Sequence, residues 1–192
     1  MKKVGILALQ GDFAAHAAAL VRAGAEPVLI REATQFRDID GLVIPGGEST
    51  TMLKLLHYDK LMEPLADFAR EKPVFGTCAG AILLASEVNS PRQESLGTMD
   101  IAVERNAYGR QLESRVAELE PEPEFAERTA PGKLEAVFIR APIIRRIGAQ
   151  TKALVRYNGD PVLVEQGRSL VATFHPELTA YSRVHRLFLE KL

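Results

Sequence analysis

Cys78 is the only cysteine of the chain, and it stands in the segment GTCAG between an apolar run and a run typical of a helix. The pattern G-x-C-x-G at a strand-to-helix turn is the thiol counterpart of the nucleophile elbow, which lifts a reactive side chain clear of a sheet. Gly76 and Gly80 leave room for a tight turn and for close packing of the helix on the strand. The partial positive charge at a helix start favours the thiolate. The pattern therefore indicates a nucleophile, with a small buried core cysteine as the alternative.

A base for that thiol is available in the segment FHPEL, where Pro176 separates His175 from Glu177. Proline fixes its own φ and disfavours helix at the preceding residue, and in an extended chain side chains two residues apart point the same way. Glu177 can then accept the Nδ1 proton of His175, which leaves Nε2 to take the proton from Cys78. Alone, this segment also fits a histidine that begins a turn beside an exposed glutamate. Together with the elbow, it favours a Cys-His-Glu triad.

The segment GLVIPGGEST, residues 41–50, places two glycines directly after an apolar strand. Acyl transfer needs donors aimed at a developing oxyanion, and backbone N–H groups of a glycine-rich turn commonly supply them. Gly46 and Gly47 are candidates, together with the N–H of Ala79 just beyond the thiol. A plain loop is the alternative. The segment is not a phosphate-binding Walker loop, because G-x-x-x-x-G-K-[ST] is absent.

The other polar candidates carry weaker signals. His16, His57 and His185 lie in or near helices, and no histidine has metal-ligand spacing with another histidine or the cysteine, so we expect no metal site. Arg105 and Arg140 are ordinary surface cations in most settings. An amino-acid substrate would need such an arginine, or backbone N–H groups, to meet its α-carboxylate.

Short apolar strands alternate with helical segments through the first 85 residues and position these candidates. Strand-like runs begin at Val4, Glu26, Gly41 and Pro73, and helical patterns lie between and after them. Strands that are apolar without alternation, between helices, are typical of a parallel sheet covered on both faces. Ligands of such sheets bind beyond the carboxyl ends of the strands, which is where PGGES, TCAG and HPE fall.

The second half of the sequence contains strand-like runs that are closer together: MDIAVER, LESRVAEL, EAVFIR, KALVRY, PVLVEQ and SLVATF. They predict an added antiparallel or mixed portion of sheet, and TAYSRVHRLFLEKL predicts a closing amphipathic helix. The Glu/Pro-rich segment 118–135 is interpreted as a solvated loop. We expect a single α/β domain over residues 1–192, with a three-layer, doubly wound, mostly parallel sheet.

Composition limits the class of protein. The 192 residues carry 24 Lys and Arg against 25 Asp and Glu, which gives no basic field for nucleic acid or anionic lipid. A single cysteine cannot form an internal disulfide, and no run reaches the roughly 18 apolar residues that span a bilayer. The N-terminal apolar run breaks at Gln10 without a cleavage site for a signal peptide. We therefore expect a cytoplasmic protein.

Six segments together are specific: LALQGDFAAH, PGGESTTM, GTCAGAILLA, ERNAYGRQ, FIRAP and FHPELT. In this order and spacing they resemble the class I, triad-type glutamine amidotransferases, and within that class the family of glutaminase subunits of pyridoxal 5′-phosphate synthase. The resemblance covers essentially the whole chain, although the segment around 119–134 carries little of it. GxCxG alone occurs in many cysteine enzymes.

The resemblance implies that Cys78 takes the acyl group of the glutamine side chain and releases ammonia, with His175 as base and then acid and Glu177 orienting it. It implies backbone N–H groups of Gly47 and Ala79 as the oxyanion hole, and no cofactor. The residues that it implies for contact with L-glutamine are Gly47, Glu48, Ser49, Arg105, Ile139 and Arg140. Gln10, at the end of the first strand, is also expected to face the site.

Only one helix follows HPE, so we expect the ammonia to be released or passed to a separate protein. The resemblance implies a synthase subunit with a (β/α)8-barrel fold, in a large hetero-oligomer, that condenses a pentose phosphate, a triose phosphate and ammonia into pyridoxal 5′-phosphate. It also implies that the glutaminase is poorly active until that subunit docks.

Three alternatives stay open. One is a glutaminase subunit of another amidotransferase, such as that of imidazole glycerol phosphate synthesis. Another is a stand-alone cysteine hydrolase of the DJ-1/PfpI type, in which a histidine often follows the cysteine where Ala79 stands here. The third is a catalytically silent scaffold subunit.

Overall fold

The computed structural model describes residues 1–106 and 114–192. The strands are β1 Lys3–Leu7, β2 Glu26–Ile30, β3 Gly41–Ile44, β4 Val74–Thr77, β5 Ala85–Asn89, β6 Met99–Glu104, β7 Arg115–Leu119, β8 Leu134–Phe138, β9 Ile143–Ile147, β10 Lys152–Tyr157, β11 Asp160–Gln166 and β12 Ser169–Ala172. The α-helices are α1 Phe13–Ala23, α2 Ser49–Tyr58, α3 Met62–Glu71, α4 Ala79–Leu84, α5 Pro123–Arg128 and α6 Arg183–Leu189.

The main sheet of the described residues has seven strands in the order β10-β11-β12-β4-β3-β1-β2. The five strands from β12 to β2 are parallel; β11 pairs antiparallel with β12, and β10 pairs antiparallel with β11 at the edge. The predicted α/β class with a mostly parallel sheet and an antiparallel portion is therefore confirmed.

Strand β3 explains why the apolar runs do not alternate. Leu42 and Ile44 belong to the core cluster that contains α2, α3 and α4 residues, whereas Val43 belongs to the opposite cluster with residues of α1 and α6. All four residues of β3 are buried. Because helices cover both faces, every position of a central strand must be apolar.

The remaining strands form two small sheets. One has the order β5-β6-β9, and the other pairs β7 with β8 in antiparallel register. The strand-like runs of the second half are thus divided between the edge of the main sheet and these additions. Strands β5 and β9 were not expected, because β5 continues directly from α4 and β9 alternates poorly, with the sequence IIRRI.

The prediction of a solvated loop over residues 118–135 is wrong. The segment contains α5, which begins at a proline and buries Phe125 completely. Proline at the first position of a helix costs no hydrogen bond, and burying one phenylalanine contributes about 2–3 kcal/mol relative to leaving it exposed. Because glutamates surround Phe125, the composition of the segment did not indicate that this one apolar side chain is buried.

Three neighbouring strands of the main sheet end at the candidate residues. β12 precedes His175, β4 precedes Cys78, and β3 precedes Gly46 and Gly47. β4 lies between the other two, in parallel register with both. The thiol therefore stands at the centre of the carboxyl edge of the sheet. Among the described residues, no helix is both long and apolar enough to cross a bilayer.

Candidate active site

Cys78 connects β4 to α4 in a strained backbone conformation. Its φ and ψ are 48° and −102°, a region that residues with a Cβ rarely adopt. Its backbone N–H donates to the carbonyl of Ala172 at 2.8 Å, which ties the turn to the end of β12. Such local strain at a nucleophile is the geometry that the elbow pattern predicts.

The glycines flanking Cys78 are required by close approach. A Cβ on Gly76 would lie 2.6 Å from the backbone of Gly80, and a Cβ on Gly80 would lie 2.2 Å from the carbonyl oxygen of Ile44. Neither backbone atom can move without disturbing the sheet. The pair thus allows α4 to start directly against β3 and β4.

His175 and Glu177 form the closest polar contact at this edge. His175 Nδ1 lies 2.7 Å from Glu177 Oε1, and both residues are buried. The turn is held by the N–H of His175, which donates to Val137, and by a short 3-10 helix over Pro176–Leu178. The orientation expected from the His-Pro-Glu spacing is present.

The imidazole also meets the thiol. Burial alone would lower the pKa of His175, but hydrogen bonds to Cys78 and Glu177 outweigh it and raise the pKa to about 10. Gly46 marks where the two groups converge: a Cβ there would lie 2.5 Å from His175 Cε1 and 3.2 Å from Cys78 Cβ.

A cavity of about 180 Å³ opens beside the sulfur. It is lined by Gly47, Glu48, Ser49, Cys78, Ile82, Arg105, Asn106, Ile139, Arg140 and His175. All six residues expected to contact glutamine are among them. Ala79 and Glu177 lie behind this lining, next in the chain to Cys78 and hydrogen-bonded to His175, respectively.

Two arginines line the cavity. Arg105 follows β6, and its guanidinium donates to Thr50 Oγ1 at 3.0 Å and lies 3.8 Å from Glu48 Oε1. Arg140 follows β8 with a left-handed φ of 45°. The Sγ of Cys78 lies 3.9 Å from the carbonyl oxygen of Ile139. The cavity therefore combines two cationic groups with a thiol and an imidazole.

Glu48 has a structural task in addition to lining the cavity. Its carboxylate accepts from the backbone N–H groups of Thr50 and Thr51 and so caps α2. Although partial desolvation acts in the opposite direction, these hydrogen bonds lower the pKa of Glu48 to about 2. The carboxylate of Glu48 is thus already engaged in hydrogen bonds at the start of α2.

Gln10 lies behind the glycine turn. Its Oε1 accepts from the backbone N–H of Glu48 at 3.1 Å, and a Cβ on Gly47 would lie 2.4 Å from the Gln10 amide. Gly47 has a φ of 140°, in the region that favours glycine. Gln10 therefore contacts the turn rather than the cavity.

Sequence reasoning missed two lining residues, Ile82 and Asn106, and it named Gly46 only as a possible donor rather than as a spacer beside His175. Asn106 falls inside the quoted segment ERNAYGRQ, of which residues 107–111 lie outside the described residues. Ile82 lies one turn into α4, where a helical period from Cys78 would have indicated it. The full burial of His16 and His185 also had no signal, since both lie in helices that look amphipathic.

A thiol, an imidazole and a carboxylate therefore meet at the end of parallel strands, beside a cavity with two arginines. Residues 6–192 match the SNO glutamine amidotransferase family, and the chain belongs to that family.

Individual relatives are more specific. A protein of Solibacter usitatus (strain Ellin6076), described as pyridoxal 5′-phosphate synthase subunit PdxT, is 67% identical over 192 residues, which is 100% of both chains. A protein of Koribacter versatilis (strain Ellin345) with the same description is 53% identical and covers 98% of this chain and 94% of its own.

Solved structures agree. A crystal structure described as a glutamine amidotransferase matches with a TM-score of 0.88 at 45% identity, over 98% of this chain and 97% of that chain. The structure of PurLQS from Thermotoga maritima shares the fold, with a TM-score of 0.74 at 16% identity and 98% of each chain covered.

Proposed function

We propose that this chain is the glutaminase subunit of a pyridoxal 5′-phosphate synthase. It hydrolyses L-glutamine to L-glutamate and ammonia and delivers the ammonia to a separate synthase subunit. The proposal is supported by family membership, by the 67% identical relative described as subunit PdxT, and by the site geometry. The observation that carries the chemistry is the convergence of His175 with Cys78 on one side and Glu177 on the other.

Catalysis begins with the Cys78 thiolate, which attacks the side-chain amide carbon of glutamine. The resulting oxyanion needs donors, and we assign this role to the N–H groups of Gly47 and Ala79. His175 then gives its proton to the departing nitrogen, which leaves as ammonia, and a thioester to Cys78 remains. Water deprotonated by His175 attacks the thioester, which releases glutamate and restores the Cys78 thiolate beside a protonated His175.

Substrate binding is assigned to the remaining lining of the cavity. The α-carboxylate of glutamine would pair with Arg105 or Arg140, since a guanidinium matches a carboxylate in shape and charge. Glu48 caps α2 and Ser49 begins it, both at the cavity, and the backbone carbonyl of Ile139 lies near the sulfur. The cavity of about 180 Å³ has room for one small amino acid.

The partner is a synthase subunit, proposed to be a (β/α)8 barrel that acts on a pentose phosphate and a triose phosphate in a large hetero-oligomer in the cytoplasm. We also propose that its docking activates the glutaminase. The turn at Gly47, buttressed by Gln10, is the natural point of control because its peptide must present a donor to the oxyanion.

The test is ammonia release from L-glutamine, measured with and without a pyridoxal 5′-phosphate synthase subunit, with Cys78→Ala as the control. Because the chain has one cysteine, thiol labelling reports this site without ambiguity. We expect release that requires Cys78 and rises when the synthase is added. Release unaffected by the synthase would contradict the activation, and no thiol-dependent release in any mixture would overturn the glutaminase itself.

A further inference from the structure

Behind the triad lies a row of completely buried polar side chains that the proposed chemistry does not use. His16 of α1, Thr77 of β4 and His185 of α6 each have no solvent exposure. His16 Nδ1 lies 3.1 Å from His185 Nε2, and His16 Nε2 lies 3.1 Å from Thr77 Oγ1. His16 Nε2 also lies 3.4 Å from Glu177 Oε2. The row therefore ends at the carboxylate of the triad.

Both histidines of this row are neutral. Burial, assisted by the neighbouring imidazoles, lowers the pKa of His16 well below its usual value. Burial, followed by the charge of Arg22, lowers the pKa of His185 to about 3. Each ring therefore has one N–H and one lone pair to place.

The contacts fix where those protons are. His185 Nδ1 is buried and has no hydrogen-bond partner in the part of the chain that the structure describes. An orphaned N–H costs more than an orphaned lone pair, so His185 carries its proton on Nε2 and donates it to His16 Nδ1. His16 then carries its own proton on Nε2, which faces Thr77 Oγ1 and Glu177 Oε2.

The carboxylate needs that proton. Glu177 Oε1 is engaged by His175, while Oε2 is buried, has no hydrogen-bond partner among the described residues and lies 3.4 Å from His16 Nε2. Leaving a buried carboxylate oxygen unpaired is costly. The N–H inferred at His16 Nε2 faces this oxygen, and the His16 ring is held edge-on against Phe75.

We propose that His16 is a positioning residue for the glutaminase reaction: its Nε2–H, set by His185, holds Glu177 Oε2 so that Oε1 stays on His175. A neutral donor orients the carboxylate without cancelling its charge, so Glu177 can still stabilise the imidazolium of His175. His16 acts only through Glu177 and does not line the glutamine cavity. The inference rests on the proposed function for its activity readout.

The experiment compares His16→Leu, which removes the donor, with His16→Gln, whose amide places an N–H near the position of Nε2. Phe188→Leu is the matched packing control, because Phe188 is fully buried against Phe75 in the same core. Ammonia release with the synthase subunit gives kcat and KM, and thermal unfolding gives stability. Proton NMR follows the low-field resonance of His175 Nδ1–H, identified by its loss in His175→Asn.

We expect kcat of His16→Leu to fall by about tenfold to a hundredfold, the usual effect of removing an orienting partner, with KM changed less than about twofold. His16→Gln should regain most of the loss. The low-field resonance should move upfield in His16→Leu only. Phe188→Leu should lower the melting temperature without these changes.

An unchanged resonance and unchanged kcat in His16→Leu would overturn the positioning role. Equal losses of kcat in His16→Leu and Phe188→Leu would overturn it too, by showing a packing effect. If the wild type released no ammonia, the proposed function would fail separately, and the resonance comparison would still decide the inference.

Discussion

Gly46 touches the imidazole of His175 so closely that one added carbon would occupy the same space. A Cβ at Gly46 would lie 2.5 Å from His175 Cε1. We expect Gly46→Ala to push the ring away from Cys78 and to lower kcat by about a hundredfold, since a displacement near 1 Å costs that much. Ammonia release at saturating glutamine measures it.

Gly159→Ala is the matched control for that change. Gly159 has a left-handed φ of 88° and open space around it. It should lose about 1 kcal/mol of stability from backbone strain and keep full activity. Equal loss of activity in the two variants would show that the Gly46 effect is not local.

Glu177→Gln tests the origin of the raised pKa of His175. The contact with the carboxylate helps to raise this pKa to about 10, so a neutral amide should lower it. The imidazolium is lost as pH rises through its pKa, so the alkaline limb of activity should move to lower pH in the variant. We expect kcat to fall by about a thousandfold or more, as when the carboxylate of a triad becomes an amide.

A pH series of ammonia release, with thiol alkylation of Cys78 in parallel, measures both effects. Glu135→Gln, a carboxylate on β8 outside the cavity lining, serves as the control. An alkaline limb that stays in place in Glu177→Gln would contradict the assignment of the raised pKa to this contact.

Arg105→Met tests the recognition of substrate. The Arg105 side chain is only 13% exposed and lines the cavity, so its guanidinium is partly desolvated. Losing one charged hydrogen bond of about 1.5–3 kcal/mol should raise KM for glutamine about 10- to 100-fold with a smaller effect on kcat. Arg156→Met, on β10, should leave KM unchanged. A fall in kcat alone would argue against a binding role.

The buried, neutral state of His185 predicts that the protein loses stability in mild acid. Its folded pKa of about 3 lies below the unfolded value near 6.5, so the unfolded chain binds more protons between these limits and stability falls as pH decreases through that window. The contribution from His185 amounts to about 2 kcal/mol between pH 6.5 and 5. Urea unfolding at pH 7.5 and 5 should show a smaller drop for His185→Phe than for the wild type. Equal drops would contradict a neutral His185.

A part-buried ion cluster joins α5, β11 and the segment after α6. Glu165 lies 2.9 Å from Arg128 and 2.7 Å from Lys191, and the side chains of Glu165 and Lys191 are 10% and 8% exposed. We expect Lys191→Met to cost about 1–3 kcal/mol in urea unfolding without changing kcat. Arg70→Met removes an exposed pair with Asp67 and should cost less than about 0.5 kcal/mol. Similar costs for both would show that burial of the cluster adds nothing.

The sequence predicted what depends on local pattern. The continuous apolar strands required a sheet covered on both faces, and the glycines around Cys78 required a tight turn. The grouping of Gly47, Cys78 and His175 also followed, because the carboxyl ends of parallel strands share one edge.

Features set by long-range packing escaped prediction. Phe125 turns a Glu/Pro-rich segment into a helix only because a core site accepts its ring. His16 and His185 are 169 positions apart, and the sequence of neither helix indicates that the two side chains are in contact. Hydrophobic periodicity indicates which face of a helix is buried, but it does not indicate which residues of other elements pack against that face.

The insertion of β12 beside β4 has a consequence for how the chain matures. The Cys78 N–H donates to Ala172 of β12, and His175 follows that strand directly. Until this segment pairs with β4, the sulfur has neither its histidine nor its fixed turn. Completion of the site therefore depends on the pairing of two strands that lie far apart in the sequence.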